Sequence, residues 1–381
     1  GAGDRPRRTS SVKGSSTLRS SKRVAWLIAL VAAVGLVAGA CGSDSKSSSS
    51  TDTTSAGASS NFDYSSLSGT LNGSGSTFQK TFDEAAIAAF AGVAPKLTVN
   101  YQGVGSGQGK KDLAAGTTNW AGTDSKVADA DKGGYPGGPL YFPTVAAPIT
   151  VSYNLKGVSE LKLSADTLAG IFMGAIKTWN DPKIAADNPG ATLPSTAITV
   201  AVRSDGSGTT SAFSKYLAKA APSTFTLTAG DTVQWPSAQA GKGNAGVAQI
   251  ITQTDGAVGY VDYSDAKASN LAFASIKNKG GSYVAPTLDA ASAALAGATI
   301  GSDLFIDALD ATGADAYPIT TGTYVLVSAT QKDAATANNL KGWITYLLTD
   351  GQGLAKDADF AALPSSLATQ ALAQIDKITV G

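Results

Sequence analysis

The chain has 381 residues, enough for two or three domains with sizeable cores, and it contains no histidine. That absence excludes Ser-His-Asp and Cys-His nucleophilic sites and HExxH zinc sites, and Cys41, as the only cysteine, excludes an intrachain disulfide. The 29 basic and 29 acidic residues balance only in total: residues 1–40 hold seven basic residues and one acid, so the remainder has 22 basic against 28 acidic residues and lacks the basic excess of a nucleic-acid binder.

The first 23 residues are polar and basic, and Val24 to Ala40 is an apolar run of 17 residues directly ahead of Cys41. A basic segment, an apolar run and small residues before a cut site have the layout of a secretory signal. The run is slightly shorter than the ~20 residues a spanning helix needs. Val37-Ala38-Gly39-Ala40-Cys41 resembles a bacterial lipobox, where cleavage exposes the cysteine for lipid attachment, although Ala38 stands where leucine is usual. The alternative is an uncleaved anchor helix with an incidental cysteine. From Gly42 to Ser60 the chain is Ser, Thr, Gly, Ala and Asp with one Lys, a composition that buries no apolar surface and reads as a flexible tether. At about 5–6 Å × √n, such a tether spans roughly 25 Å. Residues 1–40 are thus expected to be a signal peptide, and residues 41–61 a lipidated cysteine with its tether.

Residues 62–381 carry short apolar runs between helical stretches. Strands are expected at 97–101, 149–153, 197–202 and 324–327, and helices at 79–91 and 339–348. Strands alternating with helices point to α/β architecture with parallel or mixed sheets.

Three turns share one setting. Gly73-Ser-Gly-Ser-Thr-Phe78 leads into a helix whose Phe78, Phe82, Ala86 and Phe90 recur every four residues, and Gly92 and Pro95 end it. The strand at 97–101 runs into Gly103-Val-Gly-Ser-Gly-Gln-Gly109, and the strand at 197–202 runs into Arg203-Ser-Asp-Gly-Ser-Gly-Thr-Thr210. A glycine-rich turn at a helix N-terminus offers unpaired N–H groups and a positive dipole end, a ready anion site. Ser and Thr are also ordinary N-caps, so one such turn alone is weak evidence. Several in one chain, one opening with Arg203, favour an oxyanion ligand. Walker A fails because Val104 replaces its first glycine and Lys111 its Ser/Thr, and G-x-G-x-x-G fails at Gln108. No G-x-S-x-G elbow surrounds Ser106 or Ser207. The ligand expected is therefore a small oxyanion and not a nucleotide.

With these turns, Asn100-Tyr-Gln-Gly-Val-Gly-Ser106, Tyr141-Phe-Pro-Thr144, Ile171-Phe-Met-Gly174, Lys177-Thr-Trp-Asn-Asp-Pro182, Lys242-Gly-Asn244 and Gly256-Ala-Val-Gly-Tyr260 follow in order. In this combination the chain resembles the phosphate-binding proteins of bacterial phosphate ABC transporters over 70–370. Gln79 is a departure, standing where family members often have proline. The resemblance implies two α/β lobes of the periplasmic-binding-protein type with mixed sheets and the ligand between them. They are expected at 62–148 with 321–381 (lobe I) and at 149–320 (lobe II). It implies phosphate contacts from Thr77, Phe78, Ser106, Asp124, Arg203, Ser207, Gly208 and Thr209. Phe78 and Gly208 act through backbone N–H, Arg203 through its charged fork, and Asp205 holds that fork in place; for Asp205 a plain turn-forming role is the alternative. Trp179 is expected to pack, away from the site.

Asp124 opposes an anion until the ligand's protons are counted. Phosphate keeps at least one O–H near neutral pH and can donate it to a carboxylate, whereas sulfate has none. The function implied is extracytoplasmic capture of inorganic phosphate and delivery to a membrane permease, by a monomer held to the membrane through lipid on Cys41. No enzyme activity, cofactor, metal or nucleic acid is implied. A secreted phosphatase-like enzyme and a binder of another tetrahedral oxyanion are the alternatives.

Overall fold

Short strands that end in glycine-rich turns and restart as helices build most of this fold. The computed structural model describes Gly1 and residues 61–381, so Cys41, the apolar run and the segment 42–60 lie outside the described residues. In chain order the first elements are β1 (Gly69–Gly75), α1 (Lys80–Val93), β2 (Leu97–Gly103), α2 (Ser106–Ala114), β3 (Trp120–Thr123) and β4 (Pro139–Asn154). There follow β5 (Thr199–Arg203), α3 (Gly208–Ala220), β6 (Gln239–Gly241), α4 (Gly243–Gln253), β7 (Ala257–Asp262), β8 (Thr320–Ser328) and α5 (Ala334–Leu348). Among the described residues, no helix is long and apolar enough to cross a membrane.

These strands lie side by side in the order β2-β1-β3-β8-β4-β7-β5-β6. β1 is parallel to β2 and β3, and β5 is parallel to β6 and β7; β8 and β4 run antiparallel between the two parallel groups. The sheet is therefore mixed. The 16-residue β4 joins its halves: residues 139–148 pair with β8, and residues 149–154 pair with β7. Every residue of β8 is buried, as expected of a strand covered on both faces.

The elements extend beyond the segments legible as apolar runs. The expected strand at 149–153 is the end of β4, and the expected helix at 339–348 starts at Ala334, because Asp333 accepts a hydrogen bond from the Thr336 N–H and caps it. On α1 the apolar face is buried as its period requires, with the Phe90 ring 5.1 Å from Trp343 and 4.9 Å from Tyr346. Trp179 is buried and donates its indole N–H to Gly256 O at 3.0 Å, a packing role.

Close approach of β1 to β3 depends on Gly75. Its φ is +145°, and a Cβ there would lie 2.0 Å from Gly122 O. Gly75→Ala should therefore cost about 1–3 kcal/mol of stability through strain and overpacking. Urea denaturation should show a lower midpoint with an unchanged slope; an unchanged midpoint would mean that the two strands separate freely.

Candidate functional site

The C-terminal ends of the parallel strands converge from both halves of the sheet. β1 runs into the turn 76–79, β2 into 104–105 and β3 into Asp124; opposite them, β5 runs into 204–207 and β6 into Lys242. Helices α1, α2, α3 and α4 start immediately after four of these turns, so their positive dipole ends face one locality.

Gly208 is where the two sets of turns meet. A Cβ there would stand 2.6 Å from Asp124 Cβ and Oδ2 and 2.7 Å from Ser106 Oγ. Only a glycine lets the α3 N-terminus lie directly against Asp124 and Ser106. Gly107 N–H donates to Gly206 O at 2.9 Å, and Lys110 Nζ reaches Asp231 Oδ2 at 2.8 Å. On the other flank, Thr77 Oγ1 accepts from Asn244 N–H at 3.3 Å and from its side-chain amide at 3.1 Å. That amide also lies 3.4 Å from Thr209 Oγ1.

Arg203 has a side chain only 1% exposed. Its Nε donates to Asp205 Oδ1 at 2.9 Å and its Nη2 to Oδ2 at 2.5 Å, a two-point pair that leaves the rest of the fork free to donate elsewhere. Asp205 Oδ1 also accepts from Gly243 N–H at 3.0 Å. Burial pushes the Asp205 carboxyl up, but Arg203 and this N–H outweigh it and hold it below the usual carboxylate range.

Ser207 caps α3, accepting from Thr210 N–H at 3.1 Å, so its hydroxyl proton remains available to a second acceptor. Phe78 N–H is turned onto Ser76 Oγ at 3.0 Å.

Asp124 is buried, and its carboxyl group accepts from three hydroxyls. Its Oδ2 accepts from Ser76 Oγ at 2.7 Å and from Ser106 Oγ at 3.4 Å, and its Oδ1 accepts from Thr323 Oγ1 at 2.6 Å. Burial pushes its carboxyl up to about 6, against the pull of Thr323, Ser76 and the Arg203 charge.

The eight expected contact residues are thus within one region, Thr77, Phe78, Ser106 and Asp124 on one side and Arg203, Ser207, Gly208 and Thr209 on the other. Ser76, Thr323 and Asn244 belong to the same arrangement and were not singled out as site residues from sequence. Ser76 stands inside the first quoted turn, one residue before Thr77. Thr323 is set by a bulge: the β4–β8 register shifts between Thr323 and Tyr324, opposite Thr144, in a segment that alternation alone cannot place. Beyond the Gly107–Gly206 contact a cavity of about 1000 Å³ opens, lined among others by Lys110, Lys111, Lys126 and Lys215.

Comparison with known proteins agrees with this architecture. The family model for the PBP superfamily domain matches residues 48–351. The chain is 33% identical to the phosphate-binding protein PstS of Pasteurella multocida, covering 80% of this chain and 89% of that one. It is 34% identical to phosphate-binding protein PstS 2 of Mycobacterium tuberculosis, over 92% and 98% of the two chains. Among solved structures, it is similar in fold to the high affinity periplasmic phosphate-binding protein PfluDING, whose structure was determined with phosphate bound; the TM-score is 0.68 at 22% identity, over 80% of this chain and 94% of that one. The fold and cleft are those of a periplasmic-binding-protein-like receptor. The chain belongs to the PstS family of phosphate-binding proteins.

Asp124 gives the ligand-free protein a pH signature. A carboxyl raised from 3.8 to about 6 on folding contributes stability that is complete below about pH 4 and lost as pH rises through about 6. Urea denaturation across this range should show the wild type losing stability relative to Asp124→Asn as pH rises, then a plateau above pH 7. A stability difference that does not change with pH would mean that Asp124 titrates alike in the folded and unfolded chain.

Proposed function

We propose that this chain binds inorganic phosphate outside the cytoplasm and delivers it to the permease of a phosphate ABC transporter. The observation that carries the reading is that one buried cleft holds both the Arg203 guanidinium, paired with Asp205, and the Asp124 carboxylate, which feels the Arg203 charge and takes hydrogen bonds from Ser76 and Thr323. A cation and helix N-termini suit an oxyanion. A carboxylate beside them suits an oxyanion that still carries a proton, and phosphate does near neutral pH whereas sulfate does not. The phosphate-bound structure of the PfluDING protein, and the names of the Pasteurella and Mycobacterium relatives, support phosphate as the ligand.

In this reading Thr77, Ser106, Ser207 and Thr209 donate hydroxyls, Gly208 donates its N–H, and Arg203 donates from the part of its fork not held by Asp205. Phe78 N–H passes from Ser76 Oγ to the ligand. The change of partner along β4 after residue 148, and the start of β8 at Thr320, support lobes of 62–148 with 321–381 and of 149–320. Opening then separates Gly208 from Asp124 and Ser106, and closing brings them back together. Membership of a transport family supports binding without covalent chemistry.

Phosphate and sulfate affinities measured by calorimetry test the site. Arg203→Ala should weaken phosphate at least about tenfold, since a lost charge-assisted hydrogen bond costs about 1.5–3 kcal/mol. Asp124→Asn should improve sulfate binding while weakening phosphate only modestly, so the phosphate-to-sulfate ratio falls. An unchanged ratio in Asp124→Asn would remove Asp124 as the selective element, and no phosphate binding by the wild type would overturn the function.

The lipobox-like segment supports anchoring through lipid on Cys41. When the full precursor is expressed in a bacterial host, Cys41→Ala should move the protein out of the membrane fraction or leave it unprocessed. A mutant that remains membrane-bound at mature size would refute this anchor.

A further inference from the structure

Behind Asp124, away from the cleft, a hydrogen-bond chain runs through the protein interior to a second carboxyl that the binding reading does not use. Asp124 Oδ1 lies 2.6 Å from Thr323 Oγ1, which lies 2.5 Å from Gln79 Oε1, and Gln79 Nε2 lies 2.7 Å from Asp83 Oδ2. Thr323, Gln79 and Asp83 are all fully buried. Gln79 stands immediately before α1, four residues ahead of Asp83, and Asp83 sits on a helix whose other buried residues are Phe82, Ala86 and Phe90.

Counting hydrogens shows that this chain is short of one. The single Thr323 hydroxyl proton cannot serve both Asp124 Oδ1 and Gln79 Oε1, so with both aspartates ionised one of these close oxygen pairs has no hydrogen between them. A half-turn of the amide does not cure this. It lets Gln79 donate to Thr323, but then turns the amide oxygen onto Asp83 Oδ2. One added proton completes the chain in either of two ways. It can sit on Asp124, with every donor pointing toward Asp83. Alternatively it sits on Asp83, which donates to Gln79 Oε1; Gln79 then donates to Thr323, and Thr323 donates to Asp124.

The surroundings choose between the two. Asp124 has Ser76 and Ser106 as further donors and feels the Arg203 charge. Among the described residues, the Asp83 carboxyl accepts from Gln79 alone, and its Oδ1 is buried with no hydrogen-bond partner. The charges acting on it, Asp124 and Glu84, are negative; Glu84 is itself exposed and paired with Lys80 on the same helix. Tyr101, facing it from β2, gives its hydroxyl proton to Ser76 O at 2.7 Å. An ionised Asp83 would be an uncompensated buried charge.

We propose that Asp83 is a neutral, proton-bearing residue which, through the Gln79 amide and the Thr323 hydroxyl, positions Asp124 as an ionised acceptor toward the ligand. Burial raises the Asp83 carboxyl well above its usual range, in the same direction. The proton on Asp83 commits the Thr323 hydroxyl to Asp124 Oδ1, which stabilises the ionised carboxylate and leaves Oδ2, the oxygen against Gly208 and Ser106, to accept a ligand proton. Asp83 and Gln79 are then positioning residues for oxyanion selectivity, a role that rests on the phosphate reading above.

Two measurements test it. Carbon NMR of the aspartate carboxyl groups should show, in the wild type at pH 7, a neutral-acid resonance that vanishes in Asp83→Asn, distinct from any contributed by the buried Asp262, whose carboxyl is also raised well above its usual range. In calorimetry, Asp83→Asn should keep the phosphate-to-sulfate ratio within about twofold, because its amide donates to Gln79 as the protonated acid does. Asp83→Leu frees the amide to compete for the Thr323 proton, so Asp124 gains a proton more readily. Its ratio at pH 7 should fall at least about fivefold, with the acid limb of phosphate binding moved to higher pH. An ionised Asp83 in the wild type at pH 7 overturns the proposal, as does a ratio that falls equally in both variants or in neither. If Asp83→Leu does not fold, the wild-type resonance and the Asp83→Asn ratio still decide. If the wild type binds no phosphate, the selectivity role falls with the function, while the resonance still reports whether Asp83 holds the proton.

Discussion

A guanidinium with 1% of its side chain exposed is costly to bury unless something negative stays beside it, and at Arg203 that partner is Asp205. Much of the cleft follows from keeping this pair together. Asp205 is fixed in turn by Gly243 N–H at the start of α4 and lies against Gly105 at the start of α2, where a Cβ would come within 2.3 Å of Oδ2. The orientation of the guanidinium is thus tied to turns from both halves of the sheet. Each helix start that approaches the pair adds backbone N–H groups to the same small volume. The arrangement that shields the charge also assembles the donors.

The antiparallel centre of the sheet sets the distance between the two groups of turns. β4 and β8 are the only labelled strands between the parallel groups, and β4 pairs with β8 along one stretch and with β7 along the next. The irregularity at Thr323 and Thr144 lies in this centre. Gln352 holds it on one side by donating to Thr144 O at 2.7 Å, and on the other Thr323 turns its hydroxyl toward Asp124. A regular ladder would alternate side chains strictly between the two faces. The bulge re-aims one of them at the buried carboxylate.

What was legible in the sequence was local. The glycine-serine turns, Arg203 with Asp205 two residues on, and the four-residue period of α1 are patterns within a few positions, and their geometry is fixed by backbone preference and helix dipoles. The mixed α/β class followed from the same alternation. The partners of Asp124 were less accessible. Thr323 is 199 residues away from it in sequence, in a β-strand where a threonine reads as an ordinary strand former. Gln79 was legible as a departure from a common proline, but as one of small consequence; the structure instead places its amide inside the buried chain. A signal was present: Gln79 and Asp83 are spaced four apart beside the Phe78, Phe82, Ala86, Phe90 stripe, and two polar residues flanking such a stripe are candidates for mutual pairing. Their burial, however, depends on Thr323 and β3, which no local pattern announces.

Charge balance explains why selectivity in such a cleft can be strict. Arg203 is largely neutralised by Asp205, and an ionised Asp124 leaves the three side chains together with an excess of negative charge. The net field of these groups therefore does not draw in an anion. Attraction must come from oriented N–H and O–H dipoles at the helix starts, which act over a few ångströms and only in the right directions. A ligand that cannot place an acceptor before each donor, or a proton before Asp124, loses this attraction and keeps the repulsion. The lysines of the large cavity beyond Gly107 and Gly206 are partly compensated as well, Lys110 by Asp231 and Lys126 by Asp303. In the phosphate reading, attraction and discrimination both rest on these short-range dipoles, which lets the cleft hold a carboxylate without forfeiting the anion.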